Sequence, residues 1–148
     1  MFKAIFFDFD GVILESSEIK TEAFSDLFAE FPDKQEEIVN YHIKNAGISR
    51  YVKFKYFYNE LLGQELSSEK EKELASKFSE IVFNKVMAAP FVSGAKEFLE
   101  ENHQTYKFFV VSGTPQEELD LIVKNRGLQN FFLEVRGTPQ SKQEIIED

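Results

Sequence analysis

Cysteine is absent from the chain, which excludes disulfides and thiolate metal centres and agrees with a reducing, cytoplasmic setting. Histidine is nearly absent as well. Its two copies, His42 and His103, have no partnered ligand spacing and read as ordinary structural or surface residues rather than a metal site. Basic side chains are outnumbered, with 17 Lys and Arg against 26 Asp and Glu and a net charge of −9. That balance excludes a nucleic-acid polymer as partner, because binding by counterion release needs clustered cations. The densest basic neighbourhood, Arg50 to Lys55, has the size of a site for one phosphate. No apolar run approaches the ~18 residues of a membrane-spanning helix, and Met1-Phe2-Lys3 does not lead into a signal-peptide core, so no membrane partner is expected.

What the chain does have is phenylalanine, 17 copies without a single tryptophan, which predicts a Phe-packed core. The most apolar stretch begins at Ala4 and runs through Ile5-Phe6-Phe7, then meets Asp8, Phe9, Asp10 and Gly11. It reads as a buried strand that delivers two carboxylates to a loop. A strand built for stability alone would not end this way, since burying unpaired carboxylates costs several kcal/mol.

Behind the acidic loop the apolar period becomes helical. A first helix is expected from Ser16 or Ser17 to Phe31, stopped by Pro32; a second from Lys34 to Ala46, closed by Gly47; a third from Arg50 to Leu62, ending at Gly63. Ser67-Ser68-Glu69 then opens a long helix with Leu74, Phe78, Ile81, Val82 and Val86 on one stripe. The period changes again after residue 88. A short helix from Ala95 to Asn102 precedes a second buried strand, Tyr106 to Ser112, and a helix over about 115–125. A weaker third strand is expected at Phe131 to Val135. The segments Ser112-Gly113-Thr114-Pro115-Gln116 and Arg136-Gly137-Thr138-Pro139-Gln140 echo each other as two consecutive strand-loop-helix units. Strands alternating with helices predict an α/β fold with a parallel sheet, and ligands then sit at the carboxyl ends of the strands. Asp8, Asp10, Ser112 and the 136–142 loop would all lie there.

Taken in this order, Asp8-Phe9-Asp10-Gly11-Val12, a helical block, Val110-Val111-Ser112-Gly113-Thr114 and then Lys142 resemble the haloacid dehalogenase superfamily. The resemblance is closest to its phosphoglycolate phosphatase and β-phosphoglucomutase branch. It implies a Rossmann-like core, residues 1–14 and 89–148, with an inserted all-helical cap over 15–88. It further implies a Mg²⁺-dependent phosphatase for a small phosphorylated metabolite. In it Asp8 would be the nucleophile, Asp10 the general acid and base, and Lys142 the residue that neutralises charge on Asp8 and phosphate. Mg²⁺ would be held by Asp8 and Asp10, Ser112 and the Gly113 amide would bind the phosphoryl group, and Arg50 in the cap would hold a second acidic group of the substrate.

Three departures qualify the match. Glu15 replaces the usual hinge aspartate. Lys20 stands where mutase-type members often carry histidine, which favours a phosphatase over a phosphomutase. The third lies at the far end, where family members continue for two further strands, the first ending in another acidic motif. The expectation is therefore a core that is incomplete within these 148 residues. The open edge of the first strand would be covered by a missing segment or by a homo-oligomer, and Mg²⁺ binding and activity of the chain as given would be weak. The alternative to catalysis is a non-catalytic relative that serves as a binding module.

Overall fold

The computed structural model describes residues 3–147. Three parallel strands form one sheet in the order β1-β2-β3: β1 (Ala4–Phe7), β2 (Lys107–Pro115) and β3 (Glu134–Thr138). In the register Ala4 faces Lys107 and Phe7 faces Val110, while Phe109 faces Glu134 on the other side. Between β1 and β2 the chain forms α1 (Ser17–Leu27), α2 (Pro32–Lys44), α3 (Arg50–Tyr56) and α4 (Ser68–Ala88), followed by α5 (Ala95–Asn102). Helix α6 (Gln116–Asn125) joins β2 to β3, and α7 (Lys142–Glu147) follows β3.

The predicted elements form, several with shifted boundaries. Helix α1 closes at Leu27, short of Pro32, and Pro32 is instead the first residue of α2, where its missing N–H goes unneeded and its fixed φ suits the helix. Helix α3 passes directly into a π-helical turn, Phe57–Leu61, which buries Phe57 and Tyr58 together. Strand β3 begins three residues later than the apolar run suggests. Phe132 instead packs into the core, and contact with β2 begins only at the end of the run, where the Leu133 amide donates to the Phe108 carbonyl at 2.9 Å.

Phenylalanine fills the core of the helical block. Phe24, Phe28, Phe54, Phe57 and Phe78 are all buried, with Phe28 and Phe57 edge-to-face at 5.2 Å and Phe24 and Phe57 at 5.8 Å. Each such side chain contributes roughly 2–3 kcal/mol by leaving water. Serine caps set the ends of the helices: Ser49 Oγ accepts from the Tyr51 amide and Ser67 Oγ from the Lys70 amide.

The echoing loops lie side by side at the carboxyl ends of β2 and β3. Thr138 Oγ1 donates to the Gly113 carbonyl at 2.8 Å, and the Gly137 amide donates to Gln116 Oε1 at 2.6 Å. Among the described residues β1 pairs only with β2, so its outer edge carries no strand. Phe6 on that strand is 42% exposed and stacks on Phe109 with ring centroids 4.9 Å apart.

Candidate active site

The site begins where β1 ends. Asp8 leaves the strand with Oδ1 accepting from the Phe9 amide at 2.7 Å and Oδ2 accepting from Lys142 Nζ at 2.6 Å. Lys142 is the first residue of α7, so the loop after β3 delivers it across the sheet to Asp8. Next comes a tight turn in which Ile13 and Leu14 are buried and the Gly11 amide donates to the Leu14 carbonyl at 2.8 Å. This turn folds Asp10 back beneath the start of α1.

Both oxygens of Asp10 are engaged. Ser16 Oγ donates to Oδ1 at 2.6 Å, and Lys20 Nζ donates to Oδ2 at 2.5 Å. Ser16 sits at the N-cap of α1, yet its side chain makes no capping bond; the hydroxyl is spent on the carboxylate. Ser16 and Lys20 are four residues apart and so share one face of the helix. Lys20 also donates to Thr114 Oγ1 at 2.7 Å, tying the acidic loop to the end of β2. Burial alone would raise the Asp10 pKa. The Lys20 charge, with hydrogen bonds from Lys20 and Ser16 and the more distant Arg50, outweighs it and holds the carboxyl below its ordinary 3.8. Asp10 therefore rests as a carboxylate.

A cavity of about 280 Å³ opens between these groups and the helical block, lined by Asp8, Asp10, Lys20, Gly47, Lys53 and Gly113 among others. The loop before α3 presses directly onto the sheet. A Cβ on Gly113 would stand 2.6 Å from the Gly47 carbonyl oxygen, and one on Gly47 would stand 2.5 Å from Lys142 Nζ. Gly47 also has φ of +80°, a conformation that side chains disfavour. Two glycines, one on each side, thus allow the block to close over Asp8.

The sequence-predicted residues fall into two groups. Asp8, Asp10 and Gly113 line the cavity, and Lys142 stands behind it, joined to Asp8. Ser112 is buried but does not line the cavity; its Oγ donates to Thr114 Oγ1 at 3.2 Å and accepts from the Thr114 amide. Arg50 lines the cavity, but its guanidinium is engaged rather than open. One nitrogen donates to Ser79 Oγ at 2.6 Å, the other to Glu118 Oε1 at 2.9 Å, and the group lies over the Phe78 ring at 4.6 Å. Arg50 thereby joins α3 and α4 to α6.

At the level of sequence Ser16, Gly47, Thr114 and His42 carried no site role, and Lys53 figured only within the basic stretch Arg50 to Lys55. Only Ser16 and Lys20 had a local signal, their helical spacing just behind the acidic loop. With both carboxylate oxygens of Asp10 engaged, the metal donors would be the Asp8 carboxylate and the Asp10 main-chain carbonyl. Among the described residues no group of three or more Asp, Glu, His or Cys side chains is arranged to hold an ion. One carboxylate still meets the needs of Mg²⁺, which commonly takes one or two and completes its shell with water and phosphate oxygens.

A strand ending in paired aspartates, a lysine returned from a later strand and a helical block packed over both meet at the carboxyl ends of the strands. Residues 5–144 match the family model of haloacid dehalogenase-like hydrolases, and the chain belongs to that family. No curated protein matches the sequence. Among solved structures, a predicted phosphatase from Clostridium acetobutylicum is similar with a TM-score of 0.74 and 19% identity, covering 99% of this chain and 68% of that one. A predicted phosphoglycolate phosphatase from Haemophilus somnus follows with a TM-score of 0.67 and 19% identity, over 95% of this chain and 65% of that one. A mutant of CbbY from Rhodobacter sphaeroides, in complex with xylulose-(1,5)bisphosphate, has a TM-score of 0.67 at 15% identity, over 95% and 67%. The chain thus spans about two thirds of the length of these structures.

Proposed function

We propose that the chain carries the phosphoryl-transfer site of a phosphatase for a small phosphorylated metabolite, with residues 15–88 acting as its cap. The observation that carries this reading is the Asp8–Lys142 bond of 2.6 Å, with Asp8 and Asp10 lining one cavity beneath the helical block. Asp8 Oδ attacks phosphorus, the bond to the ester oxygen breaks as Asp10 in its protonated form gives that oxygen a proton, and an aspartyl-phosphate forms with Asp10 left as the carboxylate. Lys142 balances charge on the carboxylate and the phosphoryl oxygens, and the Gly113 backbone lies against the same cavity. In the second half-reaction water attacks the phosphorus, Asp10 takes its proton, and inorganic phosphate leaves as Asp8 is regenerated. The ionised resting state of Asp10 suits that step. Mg²⁺, bound by the Asp8 carboxylate and the Asp10 main-chain carbonyl, would supply further neutralisation of the phosphate charge.

Hydrolysis is favoured over phosphomutase chemistry because Lys20, bonded to Asp10, stands where mutase-type members often carry histidine. The open edge of β1, with Phe6 half exposed, supports a further strand or a second copy of the chain as its cover.

The test uses p-nitrophenyl phosphate, whose leaving group departs without protonation and so bypasses the need for Asp10 as an acid. Release of phosphate that requires Mg²⁺ and is abolished by Asp8→Asn is expected. Release unaffected by that substitution would refute Asp8 as the nucleophile.

A further inference from the structure

One amine on the cavity wall takes no part in the phosphoryl-transfer steps. Lys20 is paired with Asp10 and Lys142 with Asp8, but Lys53, which lines the cavity and is 2% exposed, makes no ion pair among the described residues. Its hydrogen-bond partner is Nδ1 of His42, at 2.9 Å. The lysine nitrogen donates in that bond, so Nδ1 accepts through its lone pair and carries no proton. Phe24 closes the other side, with Nζ 5.4 Å from its ring centre and the His42 ring packed against the same ring at 4.6 Å.

These surroundings disfavour the ammonium and favour the free amine, the form that attacks carbon. Burial is the largest influence; Lys20 on α1 and Lys142 on α7 add to it, Asp10 in the loop after β1 opposes it, and the Lys53 pKa comes down to about 8. His42 on α2 is brought down to about 4, by burial first and then by Lys53, and stays neutral at pH 7. Arg50, on the same helix as Lys53, is engaged with Glu118, and Glu18 on the wall is exposed and unpaired with Lys53. At pH 7 about a tenth of Lys53 is then free amine, against roughly one part in 2,500 of an ordinary lysine. A less basic group is a weaker nucleophile, but a slope of ~0.5, as for thiols, takes back only about 15-fold of that gain.

An electrophile reaches Lys53 through a cavity that also holds Asp8 and Gly113. We infer that Lys53 is a site of covalent acylation by small acyl phosphates, which carry an electrophilic carbon and a phosphate that docks beside Asp8. The amine nitrogen attacks the acyl carbon, the bond from that carbon to the phosphate oxygen breaks, and phosphate leaves with the electron pair and takes up the proton lost by the amine. His42 Nδ1, already holding an amine N–H, aims the nitrogen. Attack by Asp8 at phosphorus and attack by Lys53 at carbon are then two fates of one bound molecule. The second leaves a neutral amide in a cavity of about 280 Å³, which removes a charge and narrows the space for other phosphate esters. The inference rests on the phosphatase reading for the phosphate dock alone.

The native chain, with Mg²⁺ present and acetyl phosphate in excess, tests it, each lysine being followed by peptide mass spectrometry. Lys53 should be acetylated at least tenfold faster than the exposed Lys55, Lys77 and Lys96. Its rate should level off near pH 8 while theirs keep climbing, and methylphosphonate, which fills a phosphate dock without acylating, should slow Lys53 alone. N-Acetoxysuccinimide, which has no phosphate, reads the amine by itself. If Lys53 is no faster than the exposed lysines with either reagent, the inference falls and the phosphatase reading stands. If Lys53 outpaces them only with N-acetoxysuccinimide, the acyl phosphate assignment falls. Fast reaction with both reagents and no protection by methylphosphonate overturns the phosphate dock, and with it both the inference and the phosphatase reading.

Discussion

Removing the Lys20 ammonium should reverse the way Asp10 responds to pH. In the native chain the folded-state pKa of Asp10 lies below its ordinary 3.8. Its contribution to stability is therefore fully present above that ordinary value and is lost as pH falls through the folded one. Lys20→Met leaves the carboxyl buried with Ser16 and the distant Arg50 as its only support. Burial then dominates and the folded pKa moves above 3.8. For a raised carboxyl the sign is opposite: the contribution is present at low pH and lost as pH rises through the new folded value.

The size follows from the pair's exposure, 13% for Lys20 and 19% for Asp10. Breaking a fully buried pair from one side costs about 3–5 kcal/mol, and this partial exposure brings the expectation to ~2–4 kcal/mol at pH 7. For a domain of this size that is a fall in Tm of roughly 5–15 °C. The assay is urea unfolding of both proteins at intervals from pH 3 to 7. Other carboxylates cancel in the difference, and loss of the Thr114 bond adds an offset that does not vary with pH. The gap between the two proteins should widen steadily toward neutrality. Parallel curves over the whole range would refute the claim that Lys20 keeps Asp10 ionised.

Two further substitutions probe how the helical block is held. Gly113→Ala places a methyl group 2.6 Å from the Gly47 carbonyl, where only backbone can yield. Hydrogen exchange should accelerate over residues 47–49 while the β2 amides stay protected, and unchanged protection at 47–49 would count against the close approach. Arg50→Lys keeps the charge but not the fork that spans Ser79 and Glu118. A stability loss of about 1–3 kcal/mol is expected, with a double-mutant cycle against Glu118→Gln showing coupling above ~0.5 kcal/mol. Additive effects would mean that the bond does not join the block to α6.

How much of this was legible beforehand depended on distance along the chain. Asp8 and Asp10 announce themselves because an apolar strand ending in two acids is a local contradiction. Lys142 was legible through the order of segments, and its bond to Asp8 bears out the convergence of strand ends. The run Phe131-Phe132-Leu133 misled about β3 because apolar character marks burial, whereas register is decided by what β2 offers opposite. The Arg50–Glu118 bond was hidden for a similar reason: a Gly-x-Ser-Arg segment says nothing of a carboxylate on a helix beyond the next strand. His42 and Lys53 share no local motif, since α2 and α3 must first pack before the two meet.

The Asp8–Lys142 bond joins groups 134 residues apart in sequence, whereas the helical block is closed by contacts of shorter span, such as Phe24 on Phe78. Loop closure disfavours such remote pairs early in folding, so α1 to α4 can assemble before the sheet does. At ribosomal speeds of about 5–20 residues per second, those 134 residues take roughly 7–27 s to follow Asp8 out. Until the chain has reached Pro115, most of the way to Lys142, Ile5-Phe6-Phe7 has no complete β2 to pair with. The strand that ends in Asp8 is thus made well before the strand that shelters it, which makes it a stretch where a chaperone, or an aggregate, would take hold.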